Sequence, residues 1–98
     1  MFDAGRRFFV EGLMLVCAPG HQAHARLGIL VNRKRGKAHD RNAFRRRAKA
    51  WFWRKREHLA AARDFVLVAT APVKGLPRQT LYDRLESLFR KSGALASP

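Results

Sequence analysis

The residues of this chain best suited to chemistry are its basic ones, and they are concentrated in one run. Arg33–Arg56 holds twelve of the 21 lysine and arginine residues and a single acid, Asp40. Each lysine or arginine that contacts a phosphate releases condensed counterions, which favours binding to a polyanion. The run therefore predicts phosphate neutralisation, and the formal net charge of +14 agrees with it. Charge alone does not choose between nucleic acid and anionic lipid.

Carboxylate chemistry is not predicted, because the acids are few and scattered. Two-metal hydrolysis requires acidic ligands that converge on a pair of ions. The chain has seven acids, and they form no such cluster: Asp3, Glu11, Asp40, Glu57, Asp64, Asp83 and Glu86. We therefore expect no catalytic residue in this chain.

A metal site built on cysteine is not predicted either. Cys17 is the only cysteine, which excludes an intramolecular disulfide and indicates a reducing compartment. Cys17, His21 and His24 could be drawn as three ligands, but structural zinc takes four and no fourth is evident. We expect the protein alone to bind no metal and no other cofactor.

The first twenty residues imitate an export signal, since two arginines precede the apolar stretch Phe8–Ala18. Glu11 interrupts this stretch, and Val16 stands where a lipoprotein cleavage site requires a small residue. The stretch is also too short to span a bilayer.

A chain of 98 residues has room for one modest core. We therefore predict a single small domain that is located in the cytoplasm.

Four short apolar runs have the length and composition of strands. They are Phe8–Val10, Leu13–Cys17, Leu27–Val31 and Phe65–Ala71. The first two, separated by Glu11 and Gly12, suit either two strands or one bent hairpin. Residues 19–24 are predicted to form a loop.

Two segments have helical periodicity, and the first lies inside the basic run. From about Ala38 to Leu59, apolar residues recur at spacings of three and four. Its apolar face is Phe44, Ala48, Trp51, Phe52 and Leu59, and its polar face is Asn42, Arg45, Arg46, Lys49 and Arg56. A last helix follows Pro77, carries Leu81, Leu85, Leu88 and Phe89 on one stripe, and ends near Gly93. The order β, β, β, α, β, α predicts an α/β (α+β) domain in which both helices pack on a four-stranded mixed sheet.

An ordered set of residues extends from the third apolar run into the long helix. Its members are Lys34, Gly36, Ala38, Arg41, Asn42, Arg45, Arg46 and Lys49. This set resembles the protein component of bacterial ribonuclease P. The resemblance also includes Arg26–Gly28 before the set, Asp64–Val66 after it and Leu88–Lys91 near the end of the chain. The resemblance covers most of the chain, from about Phe2 to Ser92.

This resemblance implies a protein subunit that helps ribonuclease P RNA to remove the 5′ leader of precursor tRNA. The catalytic magnesium ions are then held mainly by the RNA subunit, and the protein alone is expected to be inactive. The residues expected to contact RNA are Arg33, Lys34, Lys37, Arg41, Asn42, Arg45, Arg46 and Lys49. The leader is expected on the sheet face opposite the helices, at Phe2, Met14 and Val16.

The resemblance also bears on the architecture. We predict a domain over residues 1–92 and a flexible tail over residues 93–98. The third and fourth strands are expected to be joined through the long helix by a left-handed crossover, against the usual right-handed preference.

The sequence departs from the family in two places. Ala43 stands where the family usually has the second arginine of its motif, so one phosphate contact is expected to be lost, with Arg47 as a substitute one turn on. The chain also begins at what resembles the end of the family's first helix, with Phe2 and Gly5 as the match. Because that helix forms one wall of the leader cleft, the cleft is expected to be reduced, filled otherwise, or restored by codons upstream of Met1.

Several alternatives stay open at this point. A generic RNA-binding or ribosome-associated protein would use the same helix without any role in tRNA processing. The segment Trp51–Arg56 superficially resembles the recognition helix of a homeodomain, although strands are predicted before it. Asn42 either contacts RNA or has a structural role, in which it caps the helix or holds the loop. Met14 and Val16 contact the leader or belong to the core, and Trp53 either stacks on a base or is buried.

Overall fold

Four strands form one mixed sheet in the computed structural model, which describes residues 5–19, 25–59 and 63–95. The strands are β1 (Arg6–Val10), β2 (Leu13–Pro19), β3 (Arg26–Leu30) and β4 (Arg63–Ala69). Their order across the sheet is β1-β2-β4-β3. β2 pairs antiparallel with β1 and β4, whereas β3 and β4 are parallel. The predicted mixed sheet is confirmed.

The first two apolar runs are two strands of a tight hairpin. Glu11 and Gly12 alone connect them, and Gly12 has a φ of 77°, where glycine is unstrained. The backbone carbonyl of Gly12 also accepts a hydrogen bond from the amide of Thr70 at 2.9 Å. β2 continues to Pro19, which was predicted to begin the loop, because Pro19 still pairs with Arg63 of β4.

Helix α1 (Ala38–Lys55) connects β3 to β4, and parallel neighbours require such a crossover. The helix is shorter than predicted, since Arg56–His58 form a 3₁₀ turn and Leu59 is extended. Leu59 is only 8% exposed and forms an isolated bridge with Leu95. Burial beside Leu95 therefore requires Leu59 to leave the helix. The left-handed sense of the crossover stays a prediction.

Helix α2 (Arg78–Lys91) begins after Pro77 and ends just before Gly93, whose φ is 78°. The chain remains part of the core beyond this point, because Ala94 and Leu95 are 4% and 9% exposed. The predicted domain end at residue 92 therefore comes three residues too early. The rest of the predicted tail, residues 96–98, lies outside the described residues.

The core lies between one face of the sheet and the inner sides of both helices. The sheet contributes Leu13, Leu15, Phe65, Leu67 and Ala69, α1 contributes Phe44, Ala48, Trp51 and Phe52, and α2 contributes Leu81, Leu85, Leu88 and Phe89. The ring of Phe89 is central, with its centroid 5.0 Å from that of Trp51 and 4.9 Å from that of Phe65. The predicted apolar stripes of both helices are confirmed. Over the described ranges, neither helix combines the length and apolar character needed to cross a membrane.

Candidate RNA interface

Four residues of α1 form a continuous exposed row on the side away from the core, which we call the outer stripe. They follow one another at spacings of four, three and four residues, so they share one face of the helix. The outer stripe consists of Asn42, Arg46, Lys49 and Trp53, and all four residues are exposed. Three predicted RNA-contacting residues thus lie side by side in solvent.

The loop before α1 adds further basic side chains to this region. Arg33–Arg35 form a 3₁₀ turn, and Oδ1 of Asn32 caps it by accepting a hydrogen bond from the amide of Lys34 at 3.0 Å. Three basic residues of this loop are exposed: Arg33, Lys34 and Lys37. The capped turn therefore presents three predicted RNA-contacting residues from a defined backbone next to the start of α1.

Gly36 allows this loop to lie against the loop that follows β4. A Cβ atom on Gly36 would come within 3.3 Å of Cγ2 of Val73, which is tighter than an ordinary van der Waals contact. The two loops are also joined by a hydrogen bond of 2.8 Å from the amide of Val73 to the carbonyl of Arg35. A side chain at position 36 would require Val73 to shift slightly and would be strained at the φ of 157° found there, which is a physical reason for glycine at this point of the motif.

Two arginines of the motif are bonded to the backbone that precedes α1. Nε of Arg41 donates to the carbonyl of Gly36 at 3.1 Å, and Nη2 of Arg45 donates to the carbonyl of Val31 at 3.4 Å. A guanidinium has five N–H donors, so both arginines retain donors for a ligand. Because these bonds hold the side chains in place, less conformational freedom is lost when a phosphate binds.

Asn42 does not cap the helix. α1 begins at Ala38 with Lys37 in the N-cap position, and Oδ1 of Asn42 accepts a hydrogen bond from Nη1 of Arg45 at 3.4 Å. The helix-cap alternative is therefore wrong, and the observed partner of Asn42 is a side chain of the same helix. Its contact with RNA stays a prediction.

Arg47, the predicted substitute for the arginine that is missing at position 43, is bonded to a backbone carbonyl. Nη1 of Arg47 donates to the carbonyl of Leu76 at 3.4 Å, in the loop before α2. Arg47 is only partly exposed, whereas Arg46 beside it is fully exposed. Arg47 retains other donors, as Arg41 and Arg45 do, so its substitution for the arginine missing at position 43 stays a prediction.

Within the described part of the chain, no carboxylate offsets the charge of the predicted RNA-contacting residues. The ion pairs there are Arg26–Asp64, Lys55–Glu86, Arg84–Glu11 and Arg90–Glu86, and the His39 side chain contacts Asp40. The one acid of the basic run, Asp40, lies 3.3 Å from Nε2 of His39 and pairs with none of the predicted residues. Cations that the fold holds together without counter-charges create a positive potential and favour a polyanion.

The sheet face away from the helices, which we call the open face, carries the other predicted site. Met14 and Val16 alternate with the core residues of β2, so they point to the open face. Neither belongs to the cluster that the helices cover. Val16 is only 4% exposed, which agrees with the alternative that it is a core residue, and it offers little surface to a ligand. Met14 is partly buried, and its contact with the leader stays a prediction. Phe2, the third predicted residue, lies outside the described residues.

Two exposed apolar residues of the open face were not predicted as site residues. Phe9 is the cross-strand neighbour of Met14 and is 59% exposed, and Leu30 of β3 is 55% exposed. The period of two in β1 places Phe9 on the face opposite Phe8 and Val10. That alternation was visible in the sequence and could have identified Phe9.

Arg26 and Asp64 form a bidentate ion pair between β3 and β4. Nε and Nη2 of Arg26 donate to the two carboxylate oxygens at 3.0 and 2.8 Å. The hydrogen bond and the charge of Asp64 raise the pKa of Arg26 above its usual value. This guanidinium therefore already has an anionic partner, unlike those of the motif.

Cys17 lies on the core side of β2 and is partly buried. Burial raises the pKa of its thiol, although the nearby charge of Arg63 acts in the opposite direction. His21 and His24 lie outside the described residues. Elsewhere, in the part that the structure describes, no three His, Cys, Asp or Glu side chains converge as metal ligands.

The fold and the interface define a class: a small α+β protein whose long helix and preceding loop present cations that no carboxylate of the described residues pairs with. The family model described as Ribonuclease P matches residues 1–93, and the chain belongs to this family. The ribonuclease P protein component of Salmonella arizonae is 39% identical over 74 residues, which are 74% of this chain and 61% of that relative. The corresponding protein of Pasteurella multocida is 33% identical over 97 residues, which are 98% of this chain and 81% of that relative.

The fold agrees with this membership. The RNase P protein from Thermotoga maritima matches the structure with a TM-score of 0.81 at 26% identity, covering 92% of this chain and 88% of that one. The predicted family and fold are thus confirmed. The homeodomain alternative is wrong, because three strands precede α1 where that fold requires helices.

Proposed function

We propose that this chain is the protein subunit of ribonuclease P and that it binds the RNA subunit and the 5′ leader of precursor tRNA. One observation carries the proposal: within the described residues, the seven basic residues of the predicted interface have no carboxylate partner. Membership of the ribonuclease P family gives this cationic surface a specific RNA as its partner.

The RNA subunit binds across the outer stripe and the loop before α1. Arg46 and Lys49 contact phosphates from the exposed face of the helix, and Arg33, Lys34 and Lys37 contact phosphates beside its N-terminus. Arg41 and Arg45 use the donors that remain after their bonds to Gly36 and Val31. This contact supplies most of the affinity, which falls steeply with salt because counterions are released.

The leader binds to the open face of the sheet. Unpaired bases stack on aromatic and apolar side chains, and Phe9 and Met14 provide adjacent surfaces of this kind. Val16 is only 4% exposed and Phe9 is 59% exposed, so Phe9 is the larger exposed apolar surface. Leader contact therefore depends on β1 more than the sequence predicted.

The bond that is cleaved is a phosphodiester of precursor tRNA, and the protein supplies no acid, base or nucleophile to that step. Magnesium ions held by the RNA subunit supply the electrostatic stabilisation of the reacting phosphate. The chain alone leaves precursor tRNA uncut, and the assembled ribonucleoprotein works in the cytoplasm.

Competition binding tests the proposal against a generic RNA-binding role. Labelled ribonuclease P RNA is bound to the protein and challenged with unlabelled ribonuclease P RNA or with an unrelated folded RNA of equal length. The proposal expects the unrelated RNA to compete more than about tenfold less well, a difference of about 1.4 kcal/mol. Equal competition by both RNAs would favour the generic RNA-binding protein.

A matched pair of variants locates the contact. Replacing Arg46 and Lys49 by alanine removes two charges from the outer stripe. This variant is expected to lose most of the preference for ribonuclease P RNA over the unrelated RNA. Arg78→Ala removes a charge from an exposed residue in the first turn of α2, where a cation is unfavourable to the helix dipole. This control is expected to bind ribonuclease P RNA nearly as tightly as the natural chain.

A further inference from the structure

An exposed tryptophan ends the outer stripe. Trp53 is 65% exposed, whereas Trp51, two residues earlier, is 3% exposed and lies in the core. Trp53 follows Lys49 by four residues, so it lies about one helical turn, or roughly 5.4 Å, further along the same face. A large aromatic surface is therefore held next to cations that face a polyanion.

Arg56 fixes one side of this indole ring. Its Cζ atom lies 4.6 Å from the ring centroid of Trp53, which is within the range of a cation–π interaction. The guanidinium thus covers one face of the ring, and the exposure of Trp53 leaves the remainder open to a ligand. The ring is oriented before anything binds to it.

The charges around Trp53 determine which kind of ligand can stack on its ring. Arg46 and Lys49 precede it on the same face and Arg56 lies against it, so a ligand must combine a flat apolar surface with negative charge. An unpaired nucleotide has both, since its base stacks on aromatic rings and its phosphate is anionic. A base inside a duplex does not offer its face, so the nucleotide must be single-stranded, bulged or in a loop.

We propose that Trp53 and Arg56 form a stacking site for one unpaired base of the RNA subunit, whose neighbouring phosphate is neutralised by Lys49. This site rests on the proposed function and extends its RNA-subunit interface beyond the basic motif. The 5′ leader is not the ligand, because the open face lies on the opposite side of the sheet from α1.

The affinity of the full chain for ribonuclease P RNA tests this site as a function of salt. Trp53→Ala is expected to weaken binding about 5- to 150-fold, the range found for single base–aromatic stacks. The slope of log affinity against log salt should stay unchanged, because no charge is lost. Trp53→Phe should retain most of the affinity, whereas Trp53→Leu, which is apolar but has no ring, should behave like the alanine variant.

Tryptophan emission gives a second measurement. RNA binding should quench the emission of the natural chain, and this quenching should be absent from Trp53→Phe, in which only the buried Trp51 remains. Because Trp53 is exposed, its variants should unfold at the same urea concentration as the natural chain. The measurement therefore does not depend on a damaged fold.

The outcomes separate this site from the proposed function. If the natural chain shows no preference for ribonuclease P RNA, the proposed function fails. If it shows that preference and Trp53→Ala binds equally tightly, the stacking site alone is wrong. A defect confined to precursor tRNA binding by the assembled ribonucleoprotein would overturn the assignment of the base to the RNA subunit.

Discussion

Arg41 joins the two ends of the bend that precedes α1, because its Nε donates to the carbonyl of Gly36 at 3.1 Å. Gly36 lies between the 3₁₀ turn and the first residue of the helix. The arginine that begins the Arg-Asn pair of the motif therefore stabilises the loop that carries Arg33, Lys34 and Lys37. It holds the interface together as well as contributing charge to it.

Arg41→Ala should accordingly lower the stability of the fold. A hydrogen bond from a charged donor contributes about 1.5–3 kcal/mol, so we expect a loss near the lower end for this partly exposed bond. Urea unfolding followed by circular dichroism measures the change. Arg46→Ala is the control, since Arg46 is exposed and surface substitutions usually change stability by less than about 0.5 kcal/mol. Equal stability of the two variants would show that the Gly36 bond contributes nothing.

Gly36→Ala should also destabilise the protein, through crowding between two loops. Its Cβ would lie 3.3 Å from Cγ2 of Val73, and the backbone at Gly36 has a φ of 157° and a ψ of 174°, a conformation that residues with a side chain rarely adopt. Strain of this kind costs about 1–3 kcal/mol. Gly28→Ala is the matched control, because a Cβ there meets its nearest atoms at 3.9 Å. Thermal unfolding of both variants measures the difference, and a Gly36→Ala protein as stable as the Gly28→Ala protein would refute the close approach.

The charge of Arg46 should be visible in the salt dependence of RNA binding. Arg46→Ala should reduce the slope of log affinity against log salt by about 1, the effect of one lost phosphate contact. Arg45→Ala should reduce the slope similarly and also destabilise the fold, because it loses the bond to Val31. Binding titrations between low and moderate salt measure both slopes, and an unchanged slope for Arg46→Ala would place the RNA elsewhere.

Stability should decline at high pH through Cys17. Burial raises the pKa of this thiol above the ordinary value of 9.0, so the folded state holds its proton when the unfolded state releases it. The neutral thiol makes its full contribution to the free energy of unfolding below about pH 9. This contribution is lost as pH rises through the pKa of the thiol in the folded state. Urea midpoints of the natural chain and Cys17→Ala across this range measure the effect. Parallel pH profiles for the two proteins would contradict it.

The fold was largely predictable from the sequence because its main signals are local. The apolar stripes of α1 and α2 follow directly from spacings of three and four residues, and the hairpin follows from Glu11 and Gly12. The end of α1 was not predictable in this way, since Leu59 leaves the helix to pair with Leu95, which is 36 positions later in the chain. Long-range contacts of this kind have no local pattern.

The interface also combines features that local spacing predicts with features that depend on long-range contacts. The outer stripe was predictable, because helical spacing alone places Asn42, Arg46 and Lys49 on one face. The inward attachment of Arg47 was not, because it depends on the carbonyl of Leu76 in a distant loop. The exposure of Trp53 was also unresolved by spacing, since an aromatic residue at that position suits either burial or a ligand.

Reconstituted cleavage tests the central claim most directly. A bacterial ribonuclease P RNA is incubated with precursor tRNA over a range of magnesium concentrations, with and without the purified chain, and the released 5′ leader is measured. We predict that the chain alone releases no leader and that its addition lowers the magnesium concentration that the RNA requires. Absence of any stimulation, at every protein and magnesium concentration, would contradict the assignment of this chain as a ribonuclease P subunit.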